Sequence, residues 1–99
     1  MEFEWDEEKR LLGIAKHEVD LVYAAAIFAG VTVTATDSRN AYDEVRHIAI
    51  GEVDRDCFVV VFTERGDRVR LISARKGGRD RRKFEARLVG RGSFDEGSG

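Results

Sequence analysis

The sequence predicts an α+β domain, and three observations predict it. Four segments between Val31 and Arg75 have strand composition and are joined by short turns. Two short capped helical patterns precede them, and a basic helical pattern follows Gly77-Gly78. Ninety-nine residues with 42% hydrophobic content and no proline suit a single core. One domain is therefore expected over residues 1–88, followed by a flexible glycine-rich tail over 89–99.

Each element has its own warrant. Glu2-Phe3-Glu4-Trp5 alternates polar with apolar and reads as a short strand. Asp6 is an N-cap candidate, and Glu7 and Glu8 suit the positive end of a helix dipole. The helix is expected to run to about Lys16, burying Leu11, Leu12 and Ala15, with Lys16-His17 at its C-terminus. Asp20 caps a second helix in which Leu21, Ala24, Ala25 and Phe28 form one apolar stripe, stopped by Gly30.

The strands follow. Val31–Asp37 alternates strictly, with Val31, Val33 and Ala35 on one face and threonines on the other. Ser38-Arg39-Asn40 turns the chain into a strand from about Val45 to Glu52, where Arg46, Ile48 and Ile50 share the apolar face and His47 reads as a surface residue. Past a turn at Asp54-Arg55-Asp56, the run Cys57–Phe62 is apolar throughout and should be central. Arg65-Gly66-Asp67 is short enough to force an antiparallel neighbour over Arg68–Arg75, so the strands form a meander. Arg79–Leu88 reads as a closing helix anchored by Phe84 and Leu88.

Charge divides the chain. The net charge is −2, yet residues 1–44 carry −6 and residues 45–91 carry +6. From Arg65 to Arg91 the local excess is +8. Such a strip either seeks phosphate or is neutralised across the fold. The N-terminus lacks a signal-peptide pattern and no apolar run is long enough for a membrane span, so a cytoplasmic protein without membrane contact is expected. The single cysteine, Cys57, agrees with a reducing compartment and reads as a buried strand residue.

No metal-ligand spacing, nucleotide loop or nucleophile motif is present, so neither metal nor cofactor is expected. What remains is arginine and a few proton carriers. A planar guanidinium holds phosphate with two parallel hydrogen bonds, which suits Arg65, Arg68, Arg70 and Arg75. Glu44 and Arg46, two apart as a strand begins, point to one face, as a surface ion pair or as a carboxylate beside a phosphate ligand. His17 is either a helix cap or a proton carrier.

Several short stretches together resemble the BrnT family of bacterial toxins: Phe3-Glu4-Trp5-Asp6, Lys16-His17 with Val19, Tyr42, Glu44 and Arg46 leading to Ile50-Gly51, Thr63 and Arg65, and the run Arg70-Leu71-Ile72-Ser73-Ala74-Arg75. The resemblance covers about residues 2–87. It implies a RelE-like fold and a metal-independent ribonuclease that inhibits translation. It implies as partner a BrnA-like ribbon-helix-helix antitoxin, through which alone operator DNA would be bound.

Carried onto this chain, the resemblance matches Lys16, His17, Glu44, Arg46, Arg65, Ser73 and Arg75, of which His17, Glu44, Arg46, Arg65 and Arg75 are expected to be catalytic and Lys16 and Ser73 to contact RNA. The basic strip adds Arg68, Arg70 and Lys76 as expected RNA contacts, and its helical half, with Arg79, Arg82, Lys83, Phe84 and Arg87, as an expected antitoxin surface. Glu18 departs from the family, standing where glycine is common and where a turn would want positive φ. Tyr23 and Gly77-Gly78 depart as well. The competing expectation is a non-catalytic basic module that binds a protein or nucleic acid.

Overall fold

The computed structural model describes residues 2–37, 44–78, 81–82 and 84–86. The expected turn at residues 38–40, Tyr42, and the tail over 89–99 lie outside them. Five strands form one mixed sheet: β1 (Glu2–Glu4), β2 (Val33–Asp37), β3 (Arg46–Val53), β4 (Asp56–Arg65) and β5 (Arg68–Lys76). Their order is β1-β5-β4-β3-β2. The four later strands pair antiparallel in chain order, as expected of the meander. β1 instead pairs parallel with β5, Glu2 opposite Arg68 and Glu4 opposite Arg70, which local alternation does not reveal.

The turns are set by backbone chemistry. Asp54 and Arg55 both have positive φ, as a two-residue type I′ hairpin requires. Only Gly66 does so between β4 and β5, where a hydrogen atom in place of a side chain makes it inexpensive.

Helix α1 (Glu7–His17) is capped by Asp6, whose carboxylate accepts from the N–H groups of Glu8 and Lys9 at 2.9 and 3.3 Å. Its burial differs from the expectation. Leu11 and Leu12 are 53% and 55% exposed, Ala15 is exposed, and no residue of the helix is fully buried. Arg10, Gly13 and Ile14 are the half-buried positions, so the inward face runs through i, i+3 and i+4 from Arg10 rather than through the leucines. Arg10 fastens that face, pairing with Glu7 at 2.7 Å and with Asp20 at 3.0 Å.

Helix α2 (Leu21–Ala24), capped by Asp20, passes at once into a 3₁₀ stretch over Ala25–Ala29. The core lies between this segment and one face of the sheet. Ala24, Ile27, Ala49 and Val60 have no solvent exposure, and Phe58, Phe62, Val69 and Leu71 join them. Burying a side chain such as Ile27 contributes about 1.5–3 kcal/mol. Phe28 stands edge-on to Phe62, ring centroids 5.2 Å apart. Close approach is possible because β3 is small here: a Cβ on Gly51 would lie 2.7 Å from Cβ of Ile27.

That arrangement corrects the reading of β3. Its core-facing side carries His47, Ala49 and Gly51, while Arg46, Ile48 and Ile50 face away from the helices. His47 is consequently half-buried rather than a surface residue, its ring 5.3 Å from that of Phe62. Tyr23 packs edge-on against Phe58 and donates to Oδ2 of Asp54 at 3.0 Å, tying α2 to the β3–β4 hairpin. That bond holds the phenol above its ordinary pKa, because the ionised form would face the carboxylate.

Candidate functional site

The site is built on the sheet face opposite α2. Cross-strand partners share a face, so the register places Arg75, Val59, Ile50 and Val33 in one row, and Ser73, Val61, Ile48 and Ala35 in the next. Further rows hold Glu4, Arg70 and Thr63, then Glu2, Arg68 and Arg65. Arg46, opposite Asp37, lies at the level of Thr63. The face is thus an apolar floor of valines and isoleucines framed by arginines.

A β-bulge makes this possible. From Arg68 and Arg70, strict alternation would send Ser73 and Arg75 to the core side. The ladder instead shifts by one residue: Val61 pairs with Ser73 but Phe62 pairs with Leu71, leaving Ile72 as the extra residue on β5. Val69 and Leu71 therefore stay in the core while Ser73 and Arg75 join Arg68 and Arg70 on the open face.

Helix α1 brings the histidine to it. Its C-terminus passes the edge of β5, and His17, Val59, Val61, Ser73, Ala74, Arg75 and Lys76 line a hollow of about 470 Å³. The turn after His17 has Glu18 at φ 56, a left-handed conformation that glycine adopts more readily, with its N–H on the carbonyl of Ile14 at 2.9 Å. His17, Ser73 and Arg75 thus border one end of the floor, with Lys76 at the rim of the hollow.

The other suggested residues stand elsewhere on the same face. Glu44 and Arg65 pair at 3.2 Å at the far end, and Nε of Arg46 is withdrawn from solvent near them. Standard strand geometry separates Arg46 from Arg75 by about 13 Å along the strands and about 10 Å across them. Two arginine side chains of full length can reach toward one ligand over that span, but the structure does not bring His17 and Glu44 together.

Arg68 and Arg70 are differently placed. Arg70 pairs with Glu4 at 3.1 Å, and Arg68 lies 3.4 Å from Glu2 and 3.7 Å from Glu4. Neutralisation across the fold, one of the two readings of the charge map, is met at these two positions. Lys16 is exposed on α1 beside His17.

Beyond β5 the chain turns onto the open face. Gly77 donates its N–H to the carbonyl of Cys57 at 2.7 Å, so close to the sulfur that a Cβ there would collide with it. Residues 81–82 and 84–86 are helical. Arg81 donates to Glu52 at 2.7 Å and to the carbonyl of Arg55, and Phe84 is 4% exposed. The Phe84 ring is spent inside the chain and anchors the helix rather than offering itself to a partner. Arg82 is exposed, while Arg79, Lys83 and Arg87 lie outside the described residues.

Sequence reasoning missed two contributors. The half-buried Val61, Ile48 and Ile50, beside a Val59 that is buried as expected, were not read as the floor of a site. Thr63 was read only as part of a family pattern, yet it is 2% exposed and donates its hydroxyl to the carbonyl of Val45 at 2.6 Å. Its signal was a lone hydroxyl ending an apolar strand.

Among the described residues no three histidine, cysteine or acidic side chains are grouped to hold a metal, and no helix is long and apolar enough to cross a membrane. A family model described as ribonuclease toxin, BrnT, of type II toxin-antitoxin system matches residues 5–89. Comparison with curated proteins gives no match.

Proposed function

The chain belongs to the BrnT family of ribonuclease toxins of type II toxin-antitoxin systems, and from that premise we propose that it is a RelE-like endoribonuclease whose site is the open sheet face. The observation that carries this reading is the hollow in which His17 meets Ser73, Arg75 and Lys76. Cleavage of RNA through its own 2′-hydroxyl needs three things: an acceptor for the 2′ proton, stabilisation of the negative charge that accumulates on phosphorus, and a proton for the departing 5′-oxygen.

In this reading the imidazole of His17 accepts the 2′ proton as the 2′-oxygen bonds to phosphorus. Arg75 holds the non-bridging oxygens through two parallel hydrogen bonds. The phosphorus–5′-oxygen bond breaks, and water reaching the open hollow protonates the leaving oxygen, giving a 2′,3′-cyclic phosphate and a 5′-hydroxyl end. Arg46 and Arg65 bind neighbouring phosphates at the far end of the floor. Glu44, the other candidate proton carrier, has its carboxylate on Arg65 and is better assigned to orienting that guanidinium.

No step requires a metal ion. The protein would act in the cytoplasm, block translation by cutting RNA, and be held inactive by a BrnA-like antitoxin lying over the exposed side of the helix that carries Arg82, with Arg79, Lys83 and Arg87 of the same segment. Operator DNA would be reached only through that partner.

Purified protein should cleave RNA in the presence of a chelator. His17→Ala and Arg75→Ala should each slow cleavage by about 10²–10⁴-fold while still binding the antitoxin. Wild-type protein that binds RNA with steep salt dependence and leaves it intact would instead establish the non-catalytic basic module.

A further inference from the structure

We infer that Thr63 is a positioning residue: its buried hydroxyl fixes the start of β3 and thereby holds Arg46, together with the Glu44–Arg65 pair, on the site face. The inference deepens the ribonuclease reading and rests on it for its consequence in catalysis.

Thr63 is the only buried polar side chain among the described residues, and it directly follows the apolar run Cys57–Phe62 of β4. A buried hydroxyl is costly without a partner, and this one donates from Oγ1 of Thr63 to the carbonyl oxygen of Val45 at 2.6 Å. The partner lies just where backbone pairing gives out. The β3–β4 ladder ends at His47 opposite Phe62, so the two residues before His47 have no ladder position against β4. Arg46 is held on its other side by the edge strand β2, opposite Asp37.

Nothing apolar replaces the missing ladder. The Val45 side chain is 60% exposed and gives the segment no packing anchor. The hydroxyl of Thr63 therefore substitutes for a ladder bond at Val45, and the residues on either side of Val45 are Glu44 and Arg46. Glu44 reaches Arg65 at 3.2 Å, so β4 contributes both the clamp on Val45 and the partner of its neighbour Glu44. The Nε of Arg46, withdrawn from solvent, reports whether the clamp is closed.

The test uses the full chain as wild type, Thr63→Val and Thr63→Ser. Valine keeps the shape and removes the donor, leaving the Val45 carbonyl without it; serine keeps the donor. Hydrogen exchange by NMR reads the Nε–H of Arg46 against the amide of Val60 at the centre of the sheet. Thr63→Val should accelerate exchange at Arg46 at least tenfold while Val60 keeps its wild-type protection, and Thr63→Ser should restore slow exchange. In steady-state cleavage, Thr63→Val should lower kcat by about 10–100-fold, as displacement of about an ångström does, with Thr63→Ser close to wild type.

Unchanged Arg46 exchange in Thr63→Val would overturn the inference. So would equal acceleration at Arg46 and Val60, which would mean that Thr63 serves only overall stability. If the wild type cleaves no RNA, the ribonuclease reading fails, while the exchange data still decide whether Thr63 positions Arg46.

Discussion

At the scale of single residues, the left-handed conformation of Glu18 is the most consequential departure from ordinary backbone chemistry. A side chain at φ 56 costs about 1–2 kcal/mol in its native conformation, although glycine would lose more freedom on folding. Glu18→Gly should therefore raise stability by up to about 1 kcal/mol, read as a higher urea midpoint at unchanged slope. A lower midpoint would mean that the Glu18 side chain supplies something glycine cannot. This position was legible in the sequence, because Glu18 was singled out there as standing where a turn would want positive φ. His47 was not. Both faces of β3 carry apolar or small residues, so alternation located two faces without saying which would meet the helices.

At the scale of elements, the limits of the sequence are those of non-local pairing. The β-strands were legible because turn residues and alternation are local, and so were the caps Asp6 and Asp20. The inward face of α1 was misassigned because Leu11 and Leu12 outweigh Arg10 and Gly13 in any hydrophobic pattern, while the Arg10–Asp20 ion pair that selects the face joins two helices. The bulge at Ile72 was invisible, since Arg68–Arg75 reads as one regular strand. Deleting Ile72 would leave a straight ladder in which Val69 and Leu71 still face the core and Ser73 and Arg75 still face the opposite side, because the extra residue and the register shift vanish together. The deletion should therefore cost no more than the partial burial of the Ile72 side chain, about 1 kcal/mol. Circular dichroism during urea unfolding measures the change, and a loss of several kcal/mol would show that the bulge itself is needed for β5 to pack.

At the scale of the molecule, the opposite charges of the two halves are partly spent on each other. Arg68 and Arg70 face Glu2 and Glu4 across the parallel β1–β5 pair, so the net positive surface is smaller than the basic strip suggests. Glu2→Gln combined with Glu4→Gln should release both arginines, tighten RNA binding at low salt and steepen its logarithmic salt dependence by about one unit. Anisotropy titrations over a range of salt concentrations test this, and an unchanged slope would place Arg68 and Arg70 beyond reach of the RNA. The parallel pair also has a consequence in time. Glu4 and Arg70 are separated by 66 positions in the chain, so this edge of the sheet joins residues made far apart in time. Translation at about 5–20 residues per second leaves the N-terminal strand waiting several seconds for its neighbour. The hairpins β2–β3 and β3–β4 can assemble during that interval, whereas the wall of the site carrying Ser73 and Arg75 cannot. The candidate site is thus completed well after the hairpins that precede it in the chain.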